Sequence, residues 1–199
     1  MRLVAQDISC ERGGRLIFEG LSFSLEQGEL LELRGANGAG KSSLLRLIAG
    51  LNQSPTGSLV LEQASAESSL AESCHYIGHA EANKSALTLR QNLNFWSTFF
   101  GNGNVERGLA AFDLTSIADD PARLLSSGQK RRLSLARLAT VERKLWLLDE
   151  PTVGLDQNST SKLNDLLQSH LSSGGMAIVA THADLGIKAK KNLALKART

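Results

Sequence analysis

The stretch Gly35-Ala36-Asn37-Gly38-Ala39-Gly40-Lys41-Ser42 constrains this chain more than any other. It follows an alternating apolar run through Leu31 and Leu33 and precedes an apolar pattern of helical period in Leu44, Leu45, Leu47, Ile48 and Leu51. A strand, a glycine-rich loop and a helix in that order is the setting in which GxxxxGK[ST] forms a phosphate-binding loop. The glycines let successive backbone N–H groups turn inward around a phosphate, and the helix starting near Lys41 adds the positive end of its dipole. In that geometry Lys41 reaches the outer phosphates. Ser42, followed by Ser43, sets its hydroxyl on Mg²⁺, a hard cation that takes oxygen ligands.

At 199 residues the chain holds one well-filled core, or one core with a small inserted subdomain. A net charge of +2 demands no nucleic-acid partner. A basic tail stands out after Asp184, in Lys188, Lys190, Lys191, Lys196 and Arg198. Such a run is either merely solvated, the commoner case, or an anion contact. The two cysteines, Cys10 and Cys74, have no metal-like or CxxC spacing, which suits a reducing compartment and small core residues. The segment Met1–Asp7 has no signal-peptide core, and no apolar run approaches membrane-spanning length, so membrane contact is expected only through a partner.

Strands are expected over Leu3–Ile8, Leu16–Leu25 and Glu29–Arg34, with a turn at Gln27-Gly28. Ser54-Pro55-Thr56-Gly57 is a turn signal, Ser58–Glu62 a strand, and the polar stretch Gln63–Ser73 a surface connection. From about residue 80 to 140 the pattern becomes helical, as for a helical insertion in an α/β core. Thr88-Leu89-Arg90-Gln91 fits a capping box. The helix it opens carries Phe95, Trp96, Phe99 and Phe100, expected to form mostly the core of that small subdomain, with one or two facing a partner. Lys144–Leu148, Ser159–Leu171 and Met176–Ala180 then read as strand, helix and strand.

Leu145-Trp146-Leu147-Leu148-Asp149-Glu150 is an apolar strand ending in two acids. Behind a phosphate loop that pattern places Asp149 by the Mg²⁺ hydration shell, and Glu150 where it can polarise a water attacking the γ phosphate. Leu125-Ser126-Ser127-Gly128-Gln129 lies just before a helix and reads either as a serine-glycine cap or as a second anion site. A second phosphate cradle in one chain implies a second subunit. The order of phosphate loop, helical insertion, LSSGQ, paired acids, Gly154-Leu155-Asp156 and Thr181-His182 resembles the ATP-binding subunit of ABC transporters over essentially the whole chain.

The resemblance implies one ABC ATP-binding domain over residues 1–199, with a helical subdomain near 80–140 inserted in an α/β core of P-loop NTPase type and an N-terminal antiparallel β portion. It implies a homodimer in which Ser126, Ser127, Gly128 and Gln129 of one subunit close over ATP held by Gly35–Ser43 of the other. Asp156 would lie at the seam, and Glu150, His182 and Lys41 would act on the γ phosphate, with Mg²⁺ on Ser42 and Asp149. Alone, His182 is an ordinary histidine after a strand.

Within that family the chain resembles the ATP-binding proteins of the haem exporter in bacterial cytochrome c maturation. Its single-domain length, the Asn37-Gly38-Ala39-Gly40-Lys41 loop, Ser127 in place of glycine, and Tyr76-Ile77-Gly78-His79 carry this likeness. It implies integral membrane partner subunits, a peripheral place on the cytoplasmic face of the inner membrane, and a haem chaperone downstream. His79 replaces the usual glutamine; its imidazole can donate or accept a hydrogen bond. The usual adenine-stacking aromatic is missing, with Glu11 or Arg12 near its place. An ATPase of another exporter, a soluble regulatory ATPase and an inactive scaffold are the rival readings.

Overall fold

The computed structural model describes residues 1–53, 56–62, 70–101, 103–187 and 191–196. The turn residues Ser54 and Pro55, most of the polar stretch Gln63–Ser73, and the tail residues Lys188, Lys190 and Arg198 lie outside them.

The N-terminal third is an antiparallel sheet of β1 (Arg2–Arg12), β2 (Arg15–Glu26) and β4 (Ser58–Glu62), in the order β2-β1-β4. β1 runs four residues past the strand expected from alternation, while β2 exceeds its expected bounds by one residue at each end. Gly13 and Gly14 both have positive φ, 58° and 73°, the two-residue hairpin geometry whose twist matches paired strands. Alternation breaks down because β1 bulges: the pairing shifts between Ala5 and Ile8, and Asp7 sits at φ 49°.

The second sheet is parallel, in the order β5 (Cys74–Ile77), β6 (Leu145–Asp149), β7 (Met176–Ala180), β3 (Leu30–Arg34) and β8 (Lys191–Ala194). Successive side chains of a strand leave on opposite faces, and here each face has its own core. Leu31, Leu33, Leu145, Leu147 and Ile178 pack with α1 (Lys41–Ile48) and the antiparallel sheet. Leu30, Trp146, Leu148, Ala177 and Val179 pack with α2 (Leu89–Phe100), α3 (Val105–Ala111), α4 (Ser127–Thr140) and α5 (Gln157–Ser172). Coverage on both sides explains why these strands are apolar at nearly every position.

Between β5 and β6 the described elements are α2, α3, α4 and two short 3-10 turns. The capping box of α2 forms, with Gln91 N–H donating to Thr88 Oγ1 at 3.1 Å and Thr88 N–H to Gln91 Oε1 at 2.9 Å. The four aromatic residues of α2 do not form the subdomain's core. That role falls to Leu89, Leu93, Leu109, Phe112, Leu133 and their neighbours, while Phe95 and Phe99 are exposed, Phe99 by 68%. The aromatics pack on one another along the outside of the helix, Phe99 edge-on to Phe100 at 5.0 Å and Trp96 stacked on Phe100 at 5.7 Å. The tail is also not wholly solvated. β8 pairs with β3, and Lys191 Nζ donates to Ser24 O at 2.9 Å and meets Glu29 Oε2 at 2.8 Å.

His75, in β5, is fully buried and gives the fold a pH limit. Its Nε2 lies 2.8 Å from Val141 O and must donate, fixing a neutral tautomer; burial pushes its pKa down to about 3. Burial likewise pushes His170, stacked on Trp146 at 3.8 Å, down to about 4. Above the ordinary value of about 6.5 both rings are neutral, folded or unfolded. As pH falls below it, the unfolded chain gains protons that the folded chain refuses until about 4 and 3, so stability drains over that window. The melting temperature is therefore expected to fall between pH 6.5 and 4, and less steeply in His75→Gln, whose amide can still donate to Val141. An equal fall in both proteins would assign the loss to other groups.

Candidate functional site

β3 ends where the phosphate loop begins, and two glycines let it turn. Gly35 has φ 150°, and a Cβ there would lie 2.5 Å from Leu195 O, so the loop starts against the end of β8. Gly40 has φ 98°, and a Cβ there would meet Ile17 Cγ2 at 2.6 Å. Gly40 is also the N-cap of α1 and has no capping side chain. α2, α3, α4 and α5 are capped by Thr88, Asn104, Ser126 and Asp156. The first N–H groups of α1 thus have neither an intrahelical partner nor a capping oxygen, which suits them to an anion.

A cleft of about 610 Å³ opens over this loop. Ala36, Asn37, Gly38, Gly40, Lys41, Ser42, Ser43, His79, Asp149, Glu150 and His182 all line it. Gly35 and Ala39 belong to the loop but not to its lining; Ala39 is buried. Ser126, Ser127, Gly128, Gln129 and Asp156 are not brought to this cleft. Ser126 and Gln129 form a reciprocal cap on α4, at 3.2 and 2.9 Å, so the ordinary reading of those two side chains holds within one chain. Asp156 caps α5 through Ser159 N–H at 2.7 Å, which holds its carboxyl below the usual range.

Lys41 is mostly buried and folds back on its own loop. Its Nζ donates to Gly35 O at 2.6 Å and lies 3.0 Å from His182 Nε2. An ammonium can only donate, so Nε2 accepts and the ring proton lies on Nδ1. The same nitrogen lies 3.2 Å from Asn37 Oδ1 and 3.7 Å from Glu150 Oε1, oxygens to which it donates nothing in that tautomer. The backbone N–H of His182 donates to Glu150 Oε2 at 3.4 Å, and so His182 ties the loop to the acid after β6.

Glu150 stands in a left-handed conformation, φ 45°, which costs a non-glycine residue about 1–3 kcal/mol. Its N–H donates to Ala180 O at 2.8 Å. Its carbonyl accepts from Arg131 Nη2 at 2.7 Å, and the same guanidinium donates to Asp149 O, Pro151 O and Gly78 O at 3.0, 3.3 and 2.8 Å. Arg131 is only 4% exposed, and burial lowers its pKa. Four backbone carbonyls from two strand ends thus converge on one side chain of α4. Sequence reasoning does not single out Arg131, although Arg131, Leu135 and Leu138 share the i, i+4, i+7 spacing of a buried face. Ile17 and Val153, further lining residues, carry no comparable signal.

A divalent cation fits only together with phosphate. No cluster of three or more His, Cys, Asp or Glu side chains able to hold a metal occurs among the described residues. Ser42 and Asp149, together in one cleft, would supply the few oxygen ligands that Mg²⁺ takes from a protein when phosphates and water complete its shell.

The two sheets, the uncapped helix and this cleft define an ATP-binding cassette, and the chain belongs to the ABC transporter family, whose model matches residues 18–153. It is similar to a more particular group: it is 47% identical over 193 residues, 96% of each chain, to the cytochrome c biogenesis ATP-binding export protein CcmA of Nitrobacter winogradskyi. The protein of that name from Rhodospirillum rubrum is 48% identical over 195 residues, 96% of this chain and 84% of its own. The fold is shared with a solved ATP-binding subunit of an ABC transporter, at a TM-score of 0.88 and 21% identity over 100% of this chain and 89% of that one. It is likewise shared with a dimeric ATP-binding cassette bound to ADP and Pi, at a TM-score of 0.82 and 19% identity over 99% and 97% of the two chains. The α/β fold class expected from the sequence holds. No helix among the described residues is long and apolar enough to cross a membrane.

Proposed function

We propose that this chain is the ATP-hydrolysing subunit of the haem exporter that serves cytochrome c biogenesis. It would work as a head-to-tail homodimer at the cytoplasmic face of the inner membrane, attached through integral membrane subunits. The observation that carries the reading is the convergence of Lys41, Ser42, Asp149, Glu150 and His182 on one cleft, in a chain so similar to export proteins of cytochrome c biogenesis.

The loop N–H groups and the N-terminus of α1 take the ATP phosphates, and Lys41 leaves Gly35 O to neutralise the outer ones. Ser42 and Asp149 would hold Mg²⁺, which would supply charge stabilisation and orient the phosphates. Glu150 accepts a proton from the attacking water, and His182, beside it, contacts the γ phosphate. Ser126, Ser127, Gly128, Gln129 and Asp156 lie outside this cleft, as residues serving a second copy's ATP would. His79 joins the cleft to β5, beside the groove that the α2 aromatics line. That groove is the surface proposed for the membrane subunits.

Purified chain is expected to hydrolyse ATP, and faster when reconstituted with the membrane subunits encoded beside it. No turnover in either state overturns the assignment. Stimulation by the subunits of an unrelated exporter alone would assign the chain to that exporter.

A further inference from the structure

The cleft over the phosphate loop continues into a second one. Its volume is about 430 Å³, and Glu11, Arg12, Arg46, Asn52 and Gln53 line it together with Ser42 and Ser43. Arg12, Ser42 and Ser43 line both clefts, whereas Asp149, Glu150 and His182 line only the first. A nucleotide whose γ phosphate stands at Glu150 and whose phosphates follow the loop therefore carries its nucleoside past Ser43 and Arg12, away from the reacting end. Arg12 stands at the end of the hairpin of β1 and β2, directly opposite Arg15 across the Gly13-Gly14 turn, and both are exposed. Two like charges in that register cost a hairpin stability. A phosphate or a π face against Arg12 offsets that cost.

The second cleft holds little that could tell one nucleobase from another. Glu11, Arg12, Arg46, Asn52 and Gln53 are all exposed. A site rejects an analogue by about 10⁴-fold when its own buried polar groups would be left unpaired, and groups already in water lose nothing when one base replaces another. Among the described residues no Phe, Tyr or Trp lines either cleft, and the sequence has none outside them. The flat group that borders both clefts is the Arg12 guanidinium, a planar cation able to stack on the face of any base.

We infer that Arg12 stacks on the base of the bound nucleotide and that, because this contact is blind to the edge of the base, the chain takes ATP, GTP, CTP and UTP with little preference among them. The inference rests on the nucleotide-hydrolysing reading above and adds to it the breadth of the substrate class. Affinity is then set by the triphosphate, held by the loop N–H groups, Lys41 and the start of α1, and the base adds a contribution common to all four nucleotides.

The test uses the purified chain, the four nucleoside triphosphates, and inorganic tripolyphosphate as the probe that carries no base. Dissociation constants, measured by calorimetry without Mg²⁺ so that nothing is cleaved, are expected to agree within about 10-fold across the four bases, and so are the kcat/KM values with Mg²⁺. Arg12→Lys keeps the charge and loses the plane. It should weaken all four nucleotides by a similar factor, about 10-fold, and bind tripolyphosphate as the parent does. An arginine serving only the hairpin, or acting only as a charge, would not separate the two kinds of ligand. A preference of about 10³-fold or more for one base overturns the inference, as does an Arg12→Lys variant that binds all four nucleotides like the parent. If a smaller preference for ATP disappears in Glu11→Ala or Asn52→Ala, the base is read by its edge and the inference likewise fails. If the four nucleotides bind alike and Arg12→Lys weakens them, yet none is hydrolysed with or without the membrane subunits, the inference stands and the hydrolysis reading fails alone.

Discussion

Glu150→Gln is expected to slow ATP turnover by about 10²–10⁴-fold, the range a positioned general base supplies, while leaving ATP binding intact. Glutamine matches the volume of glutamate and inherits the same left-handed backbone, so the comparison isolates the proton acceptor. The groups that hold phosphate, Lys41 and the uncapped start of α1, are untouched. With ATP bound but not cleaved, the variant should accumulate as an ATP-held dimer, visible as a shift in gel filtration when ATP is present and absent without it. Unchanged turnover would remove Glu150 from the mechanism. Lost turnover without a dimer would keep the base and sink the head-to-tail pairing.

The second large effect is expected at a residue that touches no phosphate. Arg131 holds the carbonyls of Gly78, Asp149, Glu150 and Pro151, and so fixes the backbone on both sides of Glu150, the proposed base. Arg131→Lys retains a charge but not the planar fork that reaches several carbonyls at once. Displacing a reacting group by about 1 Å can cost about 10²-fold. The variant is expected to lose about that much in kcat with little change in KM for ATP, since the loop that binds phosphate is not held by Arg131. A melting temperature near that of the parent would confirm that the loss is one of positioning. A rise in KM with kcat preserved would place Arg131 in binding instead. Arg131→Ala, by leaving four carbonyls without a donor, should also destabilise the fold by about 3 kcal/mol or more.

Most of the cleft is legible in the sequence because its parts are local. A glycine loop between strand and helix, and an apolar strand ending in Asp149-Glu150, each carry their geometry within a few residues. What is not legible depends on partners far along the chain. Arg131 looks like one of a pair of surface cations with Arg132, and only the facing strand ends turn it into a buried clamp. β8 is short and begins Lys191-Asn192, a polar start that says nothing of the edge of β3 waiting to pair with it. The aromatics of α2 mislead for the opposite reason. Residue type points inward, yet the subdomain fills its core with Leu89, Leu93 and Phe112 and leaves Phe99 outside. His75 carries no local sign that its ring will be sealed against Val141.

At position 40 the fold leaves a helix start without a cap. The other α-helices begin with a side chain that satisfies their first N–H groups, a contribution of about 1 kcal/mol each. α1 gives this up, because a serine or aspartate there would fill with its own oxygen the place a phosphate needs, and would strike Ile17 in doing so. The helix under the cleft is thus built unfinished, and the substrate is the piece that completes it. The left-handed backbone of Gly40 and the nearness of Ile17 together keep any capping side chain out, so the uncapped start is held open by the fold itself.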